Sequence, residues 1–461
     1  MSNDQAELNA FAHQGIVDWV AKNLGATVTK ITRQRRWRPV WQVDAEKDGK
    51  PMPLMFKGTR PDNSIPYPLE HEYRMLRVLE DNGIPVPTLY GMCQQPHAIV
   101  MGWMEGGRDP GLVVEAIESK SEMNPERWQA SLDYMEILAK IHNIDPAQFV
   151  AAGCEMPTSD HDIAMNGYER FYQMYLDAKL SDPFLEFVTQ WLRRNVPKHK
   201  PKVSFVTGDC GQFLSKGSKV TVLLDMEAGY LSDHASDLAC FRGRHPVENM
   251  GDVRALFDHY AKFSDQPLDL DAIRFYTVLF LALAVFTPLF FVVEPTPGGD
   301  WVEGAIQVAF ISRRALEALA EIIDVELDEI ELPAPRPAPM ENYALDKLSF
   351  DINNLSLTDT FADWQRNSIA GVPEYLRNQF HYGAWAQEQE LDELVEILGY
   401  RPVDIIEANK ALTSFVKQAG PEHDKVLTKL FHRRYLRQCH VITGPNPPED
   451  HLVLMKVEPL T

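Results

Sequence analysis

Residues 203–238 read VSFVTGDCGQFLSKGSKVTVLLDMEAGYLSDHASDL. An apolar run, VSFVT, ends at Thr207-Gly208-Asp209. A turn-rich stretch around Lys216-Gly217-Ser218 follows, and a second β-branched run, VTVLL, delivers Asp225. Short runs of this composition, bounded by turn residues, predict two strands joined by a hairpin. Two carboxylates are therefore expected at the ends of neighbouring strands, a layout suited to one proton acceptor and one metal ligand. A lone Asp at a strand end is usually a turn residue. The ordered pair gains weight from Lys57 on an upstream strand and Glu72 on the helix after it. Phosphoryl transfer needs this set: a carboxylate for the acceptor's hydroxyl proton, a carboxylate for Mg²⁺ and a cation for the nucleotide phosphates.

Upstream, ATVTKITR, PVWQVDAE, PLMFKGT and HAIVMGWM are short runs rich in Val, Ile, Trp and Phe, and they predict strands within residues 25–110. One helix interrupts them from Leu69 to Asn82, where the apolar spacing is helical and Gly83 ends it. Residues 111–330 are expected to be mostly helical, apart from the two strands of 203–226. ELPAPRPAPM, residues 331–340, carries Pro333, Pro335, Pro337 and Pro339 at alternate positions. Neither a helix nor a central strand tolerates that, so an extended linker is expected. The chain should then consist of a β-rich lobe (1–105), a helical lobe (106–330), the linker (331–340) and a helical unit (341–461).

The 461 residues carry 45 Lys and Arg against 66 Asp and Glu, a formal charge of −21. Acidity of that size disfavours nucleic acid and anionic lipid as partners. Five scattered cysteines form no CxxC pair, which argues against a disulfide framework or a structural zinc site. The opening MSNDQAELNAFAHQG has no basic segment followed by an apolar one, so a reducing cytoplasm is expected. Phe275–Val293 has no charged residue and is long enough to span a bilayer. It lacks a basic cluster on either flank, so it is read as a core helix ended or kinked at Pro288, with no membrane partner.

The order of motifs resembles the aminoglycoside phosphotransferase and choline kinase group, which is similar to protein kinases in fold. That group has an HGD-type loop, an Asn, an Asp on the next strand and a downstream D-x-x-x-D-L-A. Here stand Thr207-Gly208-Asp209, Asp225-Met226-Glu227, and Asp233 followed by Asp237-Leu238-Ala239. LEHEYRMLRVLEDNGIPVP resembles the family's small-lobe helix, AIVMGWMEG (98–106) its hinge and LAKIHNIDP (138–146) its first large-lobe helix. The resemblance covers about residues 20–325 and is closest to acyl-CoA-associated members. It implies an α+β, bilobal, protein-kinase-like fold followed by a C-terminal helical bundle.

The resemblance also implies roles. Asp209 is the general base or orienter of the acceptor hydroxyl. Asp225 ligates Mg²⁺ on the nucleotide phosphates, Lys57 held by Glu72 neutralises those phosphates, and the segment of Met101 and Trp103 holds adenine through its backbone. Asp237 is expected to fix the metal-loop backbone, and Glu227 is a further metal or substrate contact. Three departures bear on activity. Thr207 replaces the usual His. Position 214, where an Asn is usual, is Leu, so Gln212 becomes the nearest amide for a second metal position. In place of a Gly-rich loop stands RQRRWR, whose Arg36 and Arg38 are candidate phosphate contacts around Trp37.

The expected function is ATP- and Mg²⁺-dependent phosphorylation of a small-molecule hydroxyl, on a hydroxyacid or hydroxyacyl-CoA, in a chain able to form a homodimer. A nucleotide-binding pseudokinase or scaffold is the alternative that the three departures favour. His142 is expected to be buried beneath the loop and His71 exposed. Cys210 is a candidate reactive thiol, and the basic face from His432 to His440 is expected to be solvated.

Overall fold

The computed structural model describes the chain except residues 1–2, 35–37, 61–64, 105–106, 110–122, 199–200, 296–298, 358–359, 446, 448–450 and 461. Helix α1 (Asn3–Leu24) precedes three strands, β1 (Thr27–Arg33), β2 (Val40–Lys47) and β3 (Lys50–Gly58). Helix α2 (Leu69–Asp81) follows, then β4 (Leu89–Gln94) and β5 (His97–Gly102). The five strands form one antiparallel sheet in the order β1-β2-β3-β5-β4. Alternate side chains go to opposite faces. Trp41, Val43, Leu54, Phe56, Ala98 and Val100 pack beneath Ile16 and Val20 of α1. Ile99 and Met101 pack on the other face with Met75, Leu76 and Leu79 of α2. Because Phe56 faces α1, its neighbour Lys57 must face α2 and the cleft below the sheet.

The second lobe begins with the short β6 (Gly107–Asp109) and the helices α3 (Pro125–His142), α4 (Pro146–Ala151), α5 (Asp160–Asp177) and α6 (Pro183–Arg194). Strands β7 (Val203–Val206), β8 (Phe213–Lys216), β9 (Lys219–Leu223) and β10 (Tyr230–Asp233) then carry the candidate carboxylates. β7 pairs with β10, and β8 lies between β6 and β9. The turn expected at Lys216-Gly217-Ser218 joins β9 to β8 rather than to β7; β8 and β10 are strands that the sequence reading does not contain. Helices α7 (Ala235–Arg244), α8 (Val253–Tyr260), α9 (Leu270–Val293) and α10 (Trp301–Ile323) complete the lobe.

Helix α9 runs through Pro288 to Val293 rather than ending at the proline. It packs against α10, α7, α5 and α6, and half of its most apolar stretch is buried. Among the described residues it alone is long and apolar enough to cross a membrane. Pro288 has no N–H, so the carbonyl of Ala284 loses its helical donor.

Residues 325–338 form neither helix nor strand. Beyond them lie α11 (Pro339–Asn353), α12 (Thr360–Ala370), α13 (Val372–Asn378), a π-helical turn (Gln379–Gly383), α14 (Ala384–Leu398), α15 (Ile405–Val416) and α16 (Asp424–Thr443). The core of these helices is continuous with that of the second lobe. Leu412, Leu427 and Phe431 belong to the same apolar cluster as Phe184, Phe187 and Leu316. Phe431 stacks on Phe187 with centroids 5.6 Å apart, and Arg194 pairs with Asp424 at 2.6 Å. The face of α16 expected to be solvated is buried: His432, Arg434 and Arg437 are each at most 5 % exposed. Helix α14 supplies the neutralising charge, with Glu390 bound to Arg434 at 2.5 Å and Glu393 to Arg437 at 2.6 Å. The tail returns to the lobe, where Arg313 donates to Met455 O at 2.6 Å and Arg242 to Glu458 O at 2.9 Å. A chain truncated at Pro335 therefore exposes the apolar faces of α6 and α10 and leaves Arg313 and Arg242 short of acceptors. Such a truncation is expected to aggregate or lose its cooperative thermal transition, and a scan of the soluble fraction checks this.

Candidate active site

Lys57 lies near the end of β3, and its Nζ donates to Glu72 Oε1 of α2 at 2.6 Å and to Asp225 Oδ1 at 2.7 Å. The three side chains expected to act together thus meet across the cleft. Burial pushes the Lys57 ammonium down, but Asp225 and Glu72 outweigh it and hold it above its ordinary pKa. Burial raises the Glu72 carboxyl, only partly offset by Lys57. Desolvation also works against the Asp225 carboxylate, yet Lys57, then Arg38 and Arg60, hold its pKa well below the usual range. Asp225 directly follows the β9 hairpin strand with φ 65°, a left-handed conformation that costs a non-glycine residue about 1 kcal/mol or more. That strain turns the carboxylate out of the ladder toward Lys57.

Glu227 sits two residues further on, between two arginines. Arg38 Nη1 reaches its Oε2 at 2.5 Å and Arg60 Nη1 its Oε1 at 2.7 Å. Arg38 is buried and also donates from Nε to Gly58 O at 2.9 Å, which fixes it to the sheet. Arg36 lies outside the described residues. The amides of Gly102 and Trp103 donate to Thr88 O and Pro53 O, and the Met101 side chain is core. The amides at 102 and 103 are thus used within the lobe, so the expected adenine contact of this segment falls to its other backbone groups.

Asp209 follows β7 on a turn that only glycine fits. Gly208 has φ 76°, and a Cβ there would lie 2.4 Å from Ala228 O. Gln212 Nε2 donates to Asp209 Oδ2 at 2.7 Å. The Gln212 amide nitrogen therefore orients the candidate base, and its Oε1 is the atom through which the expected metal contact would be made. Arg244, at the end of α7, grips Asp209 Oδ1 with Nη2 and the buried Glu248 with Nη1. Desolvation lowers the Arg244 pKa, but Asp209 and Glu248 together carry it well above its ordinary value.

Asp237 is fully buried and orders this same loop rather than the metal loop. It accepts from Thr207 N at 2.8 Å, Thr207 Oγ1 at 3.0 Å and Gly208 N at 3.3 Å. His142 is buried beneath it, as expected. Its Nε2–H donates to Asp237 at 3.2 Å while Nδ1 accepts from the Tyr260 hydroxyl at 2.7 Å. Thr207, in place of the usual His, thus closes a network built around Asp237. His71 is buried, contrary to expectation, because it bridges the lobes by donating from Nε2 to Gly229 O at 2.7 Å. Cys210 is buried against the Tyr134 hydroxyl, and burial holds its thiol well above the usual pKa, so it is not a reactive thiolate.

Burial holds both His142 and His71 below the ordinary imidazole pKa of 6.5. As pH falls through about 6.5 the unfolded chain takes up protons that the folded protein refuses, so stability decreases on acidification. Each histidine contributes up to about 1.4 kcal/mol per pH unit in that window. Urea melts between about pH 7 and 5 are expected to show this decline. His142→Gln should flatten part of it.

Asp209, Arg60, Glu227 and Arg244 line one side of a cavity of about 280 Å³. Its other side is apolar, with Phe171, Phe280, Leu283 and Phe310 among its lining. Ala284 and Pro288 line it too.

Residues 36–275 match the family described as the phosphotransferase enzyme family. The chain belongs to that family. This phosphotransferase family member is 25 % identical over 177 residues to acyl-CoA dehydrogenase family member 10 of Mus musculus. The match covers 37 % of the chain and 16 % of that relative, so the chain spans only a small part of the relative's length. Among solved structures, it is similar to a putative aminoglycoside phosphotransferase from Ralstonia eutropha. The TM-score is 0.48 with 16 % identity, over 66 % of this chain and 97 % of the other. It is also similar to a macrolide 2′-phosphotransferase from Brachybacterium faecium, with a TM-score of 0.44 and 17 % identity over 61 % and 94 % of the two chains.

Three functional candidates, Arg244, Glu248 and Arg60, have no motif in the sequence. Asp237 and Arg244 lie about two turns apart on α7 and so share a face, which is the one local signal that placed Arg244 near the base.

Proposed function

We propose that the chain transfers the terminal phosphoryl group of ATP to the hydroxyl of a small molecule with an apolar body, a hydroxyacid or its CoA thioester. The observation that carries this reading is the bonded set of Lys57, Glu72 and Asp225, together with Asp209 at the wall of the cavity. The acceptor oxygen attacks the terminal phosphorus, the bond to the bridging oxygen breaks, ADP leaves, and Asp209 receives the hydroxyl proton. Lys57, steadied by Glu72, holds the non-transferred phosphates. The donor set suits nucleotide-borne Mg²⁺, which takes one or two carboxylates and completes its shell with phosphate oxygens and water. Asp225 is that carboxylate. Bound there, the ion neutralises phosphate charge.

The aromatic and aliphatic wall of α9 and α10 supports an apolar acceptor. A second reading, a nucleotide-binding scaffold, is favoured by one contact: Arg244 already engages Asp209. ATP turnover against a panel of hydroxyacids, hydroxyacyl-CoAs, aminoglycosides and macrolides separates the readings. Turnover confined to the acids and thioesters supports the proposal. Efficient turnover of aminoglycosides alone overturns the acceptor class, and nucleotide binding without turnover of any compound supports the scaffold.

A further inference from the structure

We infer that Arg60 is a catalytic residue of this site, leaving Glu227 to bind the phosphoryl group as it transfers. The inference rests on the phosphotransferase reading and goes beyond it in assigning the cation that meets the transition state. Three observations carry it.

The first is position. Arg60 lines the cavity together with Asp209 and Glu227, and its charge also acts on Asp225. It therefore shares the cavity wall with the carboxylate proposed as the base and acts on the one proposed to hold the metal.

The second is charge balance. Glu227 is one carboxylate shared by two guanidinium groups, and the two arginines are unequal. Arg38 is anchored by Gly58 O and does not line the cavity, whereas Arg60 does. When Arg60 turns away, Arg38 still neutralises Glu227, so no buried carboxylate is left uncompensated. Removing one partner of an isolated buried pair would cost several kcal/mol. Here the spare cation avoids that cost.

The third is chemical fit. A planar guanidinium presents several N–H donors to equatorial phosphoryl oxygens, where charge spreads in the transition state. An arginine supplied there in other phosphoryl-transfer sites is worth on the order of 10³ or more in kcat.

The test is titration calorimetry of MgADP with the full chain, alone and with aluminium fluoride, which mimics the phosphoryl group in flight. For the unaltered protein, aluminium fluoride is expected to tighten MgADP by about 10²-fold or more. Arg60→Ala should bind MgADP within a few fold of the unaltered protein and lose that tightening, and Arg60→Lys should recover part of it. Thermal midpoints of both variants report folding, and the Lys variant keeps the test alive if the Ala variant is unstable. Retention of the tightening in Arg60→Ala overturns the inference. So does equal weakening of both complexes, which marks Arg60 as a ground-state contact, and so does MgADP binding without tightening in the unaltered protein. Failure of the unaltered protein to bind MgADP at all overturns the ATP reading itself, and the inference with it.

Discussion

Asp209→Asn is expected to lower kcat by roughly 10²–10⁴, the span of a lost general base, while nucleotide affinity changes little. The substitution is nearly isosteric. Its amide can still meet Gln212, and the loop beneath is held by Asp237 through Thr207 and Gly208 rather than by Asp209 itself. The groups proposed to meet the nucleotide are others, Lys57 and Asp225, which pair with each other. The deficit should therefore appear in turnover of whichever acceptor the panel identifies, with the ATP Kd and the thermal midpoint nearly unchanged. Turnover close to the unaltered protein's would remove Asp209 from the chemistry. By contrast, Asp237→Ala should impair folding, since it strands two backbone amides, a hydroxyl and the His142 N–H in a buried site.

Asp225→Ala is expected to abolish the gain in ATP affinity that Mg²⁺ provides, leaving affinity at its metal-free level. Calorimetric titrations with and without Mg²⁺ measure this directly. Gln212→Ala should leave that gain largely intact and lower turnover instead, because its amide serves Asp209. If Gln212→Ala removes the Mg²⁺ dependence, the assignment of its amide is wrong. Asp225→Asn is the useful companion. Asn tolerates the left-handed backbone at this position better than Ala does, so the carboxylate's role separates from the backbone strain.

Much of the site could be read from the chain because its parts are short, local and ordered. Lys57 is legible from its strand, Glu72 from the helix after it, and Asp209 and Asp225 from strand ends. Contacts between distant segments were not readable. His71 looks like a surface neighbour of Glu72 on a helix, yet α2 lies between the sheet and the second lobe, so a wide arc of it is covered. The basic face of α16 reads as solvated because its partners, Glu390 and Glu393, stand more than forty positions away on α14. Arg244 finds Asp209 across thirty-five positions, and only the helical spacing from Asp237 hints at it. The proline-rich stretch forms neither helix nor strand as far as residue 338, and the helices beyond it share the lobe's core.

The return of residues 455–460 to α9 and α10 bears on how the protein is made. Arg313, Arg242 and Arg274 each donate to main-chain carbonyls between Met455 and Leu460. Those acceptors are synthesised well after the helices they complete. During translation, the long apolar α9 and its neighbour α10 leave the ribosome with one flank uncovered until α16 and the tail arrive. A nascent chain in that condition is a natural client for chaperones that shield apolar helices. Messages cut short upstream of α16 should yield product that is cleared or aggregates rather than a smaller working enzyme.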